Sequence, residues 1–215
     1  MQRTAVTLLI IITIWACQKN KQETTYSQKE IDSLRTAFAK YKAKKDSSFL
    51  YASWSPLLDG DKQSFKGLHY FPYDPTWRFI GPIHEYDNPD SILIVGSKHG
   101  KGRNDLRPAI KFGYFSFERD GIKNKLEIIK IFPRKPEGDD YLFLGFWDDT
   151  CGRETYPGGR YIEMKKIGES KYIVDFNYAY NPYCAYNPKY SCAIPPLENR
   201  LSVAVRAGEK IYQEH

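Results

Sequence analysis

The sequence predicts a mainly β protein, an antiparallel sandwich or partly closed barrel of about eight short strands with one amphipathic helix on its N-terminal side. Three observations predict it. Aromatic residues make up 15% of the 215 residues, with 17 Tyr, 12 Phe and 4 Trp, a load that suits pleated surfaces better than helical bundles. Beyond Asp46 the apolar residues alternate with a period of two in short stretches bounded by turn residues. The connections between stretches are mostly local, since Asp120-Gly121 and Gly168-Glu169-Ser170 read as hairpin turns. Strand and helix do not alternate and no repeat of fixed period appears, which argues against a dinucleotide-binding fold.

The chain opens on Arg3, an apolar run from Ala5 to Ile14, and then Trp15-Ala16-Cys17. A charged start, a hydrophobic stretch too short to span a bilayer comfortably and a small residue before a processing point form a secretory pattern. The segment resembles a bacterial lipoprotein signal with Ile14-Trp15-Ala16-Cys17 as its lipobox. That resemblance implies cleavage of residues 1–16, a lipid on Cys17, and a place in the bacterial cell envelope facing the periplasm or the exterior. The only charge lost with the signal is Arg3.

Residues 17–26 are polar and without periodicity, and read as a flexible tether. Residues 27–215 follow as a single domain. Ser27 with Glu30 is a capping box, and Ile31, Leu34, Phe38 and Tyr41 then recur at helical spacing, so a helix is expected over about 28–44 with its apolar stripe docked on the domain. Strands are expected at Trp77–Ile83, Ile92–Gly96, Lys111–Arg119, Lys125–Phe132, Tyr141–Phe146, Tyr161–Lys166, Lys171–Tyr178 and Leu201–Arg206.

The net charge of +6 comes from 32 Lys and Arg scattered among 26 acids. Without a basic run it reads as a solubility charge, and no nucleic-acid partner is expected. Motifs for a nucleophile elbow, a zinc protease, a phosphate loop or a Cys-x-x-Cys pair are absent, and His69, His84, His99 and His215 are scattered. No cofactor and no metal site are expected. Ser97-Lys98-His99-Gly100 reads as a polar turn, because no orienting base for a nucleophile is evident.

The unusual chemistry lies between Asp148 and Glu209. Residues 148–160 form a glycine-broken loop dense in acids, hydroxyls and arginines, the composition from which sites on rigid sheets are built. In the strand after the next hairpin, Asp175 and Asn177 share one face, about 7 Å apart. Two Asn-Pro steps and a Pro-Pro step then stiffen the path to Arg200.

Asp175-Phe176-Asn177, Ala179-Tyr180-Asn181-Pro182, Cys184-Ala185-Tyr186, Cys192, Pro195-Pro196, Glu198-Asn199-Arg200-Leu201 and Ala207-Gly208-Glu209-Lys210 together resemble the bacterial domain-of-unknown-function family 1684. Gly152, Glu154-Thr155-Tyr156 and Gly159-Arg160-Tyr161, with Ser55-Pro56-Leu57, Phe65, Gly67-Leu68, Tyr70-Phe71-Pro72, Ser97 and Gly100, are similar to that family's pattern too. The resemblance spans about residues 46–213. It implies a compact domain, often behind a lipoprotein signal, and no characterised activity.

These readings converge on a membrane-tethered lipoprotein whose domain binds a small molecule or glycan. Arg160 and Arg200 would grip an anionic group, Asp175, Asn177 and Glu198 would complete a polar cluster, and Tyr156 and Tyr180 would wall it. A hairpin register bringing Arg160 opposite Asn177 would make the four residues Arg160, Asp175, Asn177 and Arg200 converge. The alternative is a hydrolase or lyase with Asp175 paired to Glu154 or Glu198. A metal held by Asp175, Asn177 and Glu198 is a weaker variant, and a purely structural role for the whole motif is the remaining one. With Cys17 lipidated, Cys184 and Cys192, with seven residues between them in the motif, are expected to form a disulfide stabilising by roughly 2.5 kcal/mol. Cys151 would then be a buried free thiol; the rival pairing is Cys151 with Cys184.

Overall fold

The computed structural model describes residues 26–101, 104–133 and 141–212. The expected signal peptide, Cys17 and all of the tether but Tyr26 lie outside the described residues. Helix α1 spans Gln28–Tyr51, about two turns further than the expected end near residue 44. Its capping box is present, with Ser27 N–H donating to Glu30 Oε2 at 2.8 Å. The extension is held by Phe49, which is buried against Tyr186 with ring centroids 5.0 Å apart. Phe38 is buried edge-on against Tyr70 and Tyr178 at 5.7 and 5.4 Å, so the stripe docks on the chain's own domain. A short helix α2, Asp59–Ser64, follows.

Among the described residues ten strands succeed one another: β1 Arg78–Pro82, β2 His84–Glu85, β3 Ser91–Val95, β4 Leu106–Arg119, β5 Ile122–Ile131, β6 Tyr141–Phe143, β7 Gly145–Phe146, β8 Arg160–Tyr161, β9 Lys165–Lys166 and β10 Lys171–Asp175. β4 and β5 form the long hairpin at Asp120-Gly121, both turn residues having positive φ, 53° and 77°, as a type I′ turn requires. β2 and β3 pair with β4 and β6 pairs with β5 in this sheet, while β1, β10 and β9 make a second and β7 with β8 a third, all antiparallel. The two larger sheets meet where Phe79 of β1 packs on Phe117 of β4, 4.5 Å between centroids. Among the described residues no sheet closes into a barrel, and the arrangement is that of a sandwich.

Of the expected strands, Tyr141–Phe146 and Tyr161–Lys166 are each divided in two, Lys171–Tyr178 ends early, and Leu201–Arg206 does not form. The Tyr161–Lys166 stretch divides because Ile162 turns into the core and donates its N–H to Leu144 O at 2.9 Å, leaving β8 on β7 and β9 on β10. β10 stops at Asp175, whose carboxylate accepts the Asn177 N–H at 3.0 Å and curls residues 176–178 into a 3-10 turn. Leu201–Arg206 forms no strand: Leu201 N–H donates to Trp147 O, Asp149 N–H to Val203 O, and the Val205 carbonyl accepts from Arg160 Nη2 at 2.8 Å. A side chain has taken the place of a strand partner there.

Phe176 sits at the centre of the core, inaccessible to solvent, with Trp77, Phe79, Phe117 and Phe146 all within 6 Å centroid to centroid. Replacing it by Ala is expected to cost about 3 to 5 kcal/mol in a denaturant titration, since the cavity opens between two sheets that cannot collapse on it. A loss under about 1 kcal/mol would show that this ring is not the one joining the layers.

Candidate functional site

Once α1 is docked at Phe38 and Phe49, the space between its cleft-facing side and the edges of β6, β8 and β10 is left open. It forms a cleft of about 1100 Å³. Tyr41, Lys45 and Trp54 contribute from the helix side, Tyr141 and Tyr161 from the sheets, and Tyr180, Tyr183, Tyr190 and Cys192 from the proline-stiffened segment. At the rim Trp54 and Tyr183 stack nearly parallel, 19° between planes and 6.4 Å between centroids, with Trp54 52% exposed.

The half-buried cations of this cleft have carboxylate partners. Lys45 Nζ lies 2.5 Å from Glu209 Oε1, Arg78 Nε 3.7 Å from Asp175 Oδ2, and Arg107 Nη2 3.3 Å from Asp105 Oδ2. Burial pushes the phenols of Tyr41 and Tyr180 well above their ordinary range, helped by the Glu209 charge at Tyr41 and by Tyr141 at Tyr180. Both therefore stay neutral hydrogen-bonding groups. The half-buried walls thus present flat faces and hydroxyls with self-compensated ion pairs, and the remaining charges on the lining, Lys44, Glu163 and Lys165, are exposed, Glu163 accepting from Tyr180 Oη at 3.3 Å.

Of the residues singled out in the sequence, Asp175 and Tyr180 line this cleft. Asp175 accepts from Tyr73 Oη at 3.2 Å and from Asn177 Nδ2 at 2.8 Å, and burial pushes its carboxyl upward against those hydrogen bonds and the Arg78 charge. Asn177, fully buried, exchanges two 2.8 Å hydrogen bonds with the backbone of Asp74. The expected convergence of all four polar residues does not form. Arg160 pairs with Phe146 of β7 and not with β10, because the chain breaks after Tyr161, and its guanidinium goes to the core. There it meets Asp148 at 2.7 Å and donates to the carbonyls of Val205, Ala207 and Glu209. Burial lowers its pKa and the Asp148 charge opposes that fall. Arg200 lies over the Trp147 ring at 5.2 Å, Glu198 pairs with Lys111 at 2.8 Å on the surface, and Tyr156 Oη sits 3.7 Å from Cys184 Sγ.

The carboxylates proposed as a catalytic pair are likewise apart: Glu154 accepts from Arg206 Nε at 3.0 Å, Glu198 from Lys111, and Asp175 from its own neighbours. Among the described residues no three His, Cys, Asp or Glu side chains are grouped to hold a metal ion. Cys184 and Cys192 stand as free thiols in contact rather than bonded, with Cys184 N–H donating to Cys192 Sγ at 3.2 Å. Tyr41, Lys45, Trp54 and Glu209 carry much of the cleft and its wall but were not foreseen. Tyr41 had a signal in the helical stripe, whereas nothing local marks Trp54.

A mainly β sandwich with this buried arginine grip and tyrosine cleft belongs to a class defined so far by its pattern. The family model described as "Protein of unknown function (DUF1684)" matches residues 63–210, and the chain belongs to that family. The solution NMR structure of an uncharacterized protein from Haloarcula marismortui is similar at 29% identity and a TM-score of 0.63, covering 88% of this chain and 100% of that one. No curated protein matches.

Because Arg160 binds carbonyls and a carboxylate in the core through a planar fork, Arg160→Lys should keep the charge and lose the geometry. The expected cost is about 2 to 3 kcal/mol, a fall of roughly 5 to 10 °C in a melting scan. An unchanged melting temperature would remove Arg160 from the structural role assigned to it.

Proposed function

We propose that this chain is a binding domain for a small, neutral, ring-bearing polar ligand of the saccharide class, held at the cell envelope by a lipid on Cys17. The observation that carries the first part is the pairing of carboxylates with Lys45, Arg78 and Arg107, the half-buried cations of a cleft rich in tyrosine, while the other charged side chains on its lining, Lys44, Glu163 and Lys165, are exposed to solvent. Paired charges offer little to an anion. Tyrosine faces suit the apolar faces of a sugar ring, and the protonated phenols suit its hydroxyls. The exposed Trp54–Tyr183 stack at the rim supports the same reading, as a flat platform that costs little side-chain entropy on binding.

The test is a titration of the chain against neutral oligosaccharides, followed by Trp54 fluorescence and calorimetry, with aromatic carboxylates as the contrasting class. Saturable binding to a neutral saccharide, weakened about tenfold or more in Trp54→Ala, is expected. Binding confined to the carboxylates, or binding indifferent to Trp54→Ala and Tyr180→Phe, would overturn the reading.

The anchor rests on Arg3, the apolar run and Ile14-Trp15-Ala16-Cys17. Cys17→Ala is expected to leave an unprocessed precursor and to abolish detergent-phase partitioning of the mature form. Unchanged partitioning would sink the lipid anchor while leaving the cleft reading untouched.

A further inference from the structure

The proline-stiffened segment brings two thiols together, Cys192 on the wall of the cleft and Cys184 in contact with it, and neither the fold nor the binding reading uses them. Backbone hydrogen bonds fix their positions. Ser97 N–H donates to Cys192 O at 2.9 Å, Cys192 N–H to Ser97 Oγ at 3.2 Å, and Cys184 N–H to Cys192 Sγ at 3.2 Å. Tyr156 Oη lies 3.7 Å from Cys184 Sγ, and both cysteines are partly exposed, with Cys192 lining the cleft. We propose that Cys184 and Cys192 form a thiol–disulfide exchange centre that takes small disulfides.

In the step this geometry supports, the Cys184 thiolate attacks one sulfur of a disulfide R–S–S–R. The Cys184–S–R bond forms as the S–S bond breaks, and RS⁻ leaves and takes up the proton given up by Cys184. Cys192, deprotonated in turn, attacks Cys184 Sγ. The Cys184–Cys192 bond forms, the second RS⁻ leaves and takes the second proton, and two cysteine thiols have been oxidised while one disulfide is reduced to two thiols.

Two features favour exchange over a permanent bond. Cys184 Sγ collects hydrogen bonds from the Cys192 thiol and from the Tyr156 and Ser97 hydroxyls, which hold its pKa down against burial. The same contact pushes the Cys192 thiol up, so Cys184 is the first of the pair to ionise and Cys192 gives up its proton only once Cys184 is in the mixed disulfide. A stabilised reduced form makes the corresponding disulfide easier to reduce. The loop between the two cysteines is short, so the bond constrains the unfolded chain less than a long-range link would. Cys151 supplies the internal contrast: its thiol is pushed up by burial and no second cysteine is bonded to it among the described residues.

The test equilibrates the lipid-free chain from residue 18 onward, with all three remaining cysteines, in mixtures of reduced and oxidised glutathione. It then traps thiols with acid and alkylation and maps peptides without reduction. A reversible two-electron transition to a Cys184–Cys192 linked peptide is expected, with Cys151 alkylated throughout. Cys192→Ser should accumulate a mixed disulfide of glutathione on Cys184, and the alkylation rate of Cys184 in that variant should still rise at lower pH than that of Cys151. The transition in the unaltered chain decides the matter even where a variant fails to fold. A pair that stays reduced in oxidised glutathione, one that stays linked in reduced glutathione alone, or a crosslink through Cys151 would overturn the proposal.

Discussion

The fold hangs on one guanidinium. Arg160 has no exposed surface, and its charge is matched by Asp148 at 2.7 Å and by the carbonyls of Val205, Ala207 and Glu209. A buried ion pair is not in itself a source of stability, because the desolvation of both partners offsets most of their attraction. Its consequence lies in what the remaining donors do. Residues 205–209 belong to no named strand: Gly208 O accepts from Phe71 N–H at 2.9 Å, whereas the carbonyls of Val205, Ala207 and Glu209 take their hydrogen bonds from the fork. Of the guanidinium nitrogens Nε alone has no partner among the described residues, so the grip is close to complete.

From that grip the rest follows in sequence. Holding residues 205–209 in place brings Gly208 so close to residues 176 and 179 that a Cβ there would sit 2.6 Å from Ala179 O, at a φ of 81° that suits glycine. The same placement sets the buried Glu209 carboxylate where it accepts from Tyr186 Oη at 2.6 Å, Asn181 N–H at 2.8 Å and Tyr70 Oη at 3.1 Å. Its remaining partner is Lys45 of α1. The helix is therefore tied to the domain through a carboxylate whose position depends on the arginine, and the cleft exists because the helix is tied there.

This dependence explains what could be read from the chain and what could not. Strand existence was legible wherever period-two patterning met a local turn, as at Asp120-Gly121 and Gly168, since both signals are contained within a dozen residues. Leu201–Arg206 has the same alternation, but its backbone partners are Trp147, Asp149 and a side chain at position 160. No local pattern encodes that. The motif from Asp148 to Glu209 was legible as dense in polar chemistry. Its role was not, because a buried arginine satisfying carbonyls and a surface arginine awaiting an anion have the same sequence. Asp175 with Asn177 could be paired from strand alternation, although the strand that paired them ends at Asp175 in order to make the contact.

The separation of grip from cleft has a chemical consequence. The strongest ionic group of the motif lies in the core, so the open space is walled by what the core did not consume: tyrosines, half-buried cations already matched by carboxylates, and the solvent-exposed Lys44 and Lys165. Lys45 shows the division within one side chain, with its ammonium on Glu209 while lying 4.9 Å from the centroid of the Tyr180 ring. A charge held in that way polarises the wall without leaving a vacancy for an anion. The cleft's selectivity then comes from shape, flat surface and hydroxyl direction, and these are set by how far α1 stands off the sheet edges, a distance fixed by the Phe38 and Phe49 contacts together with the Glu209 tie.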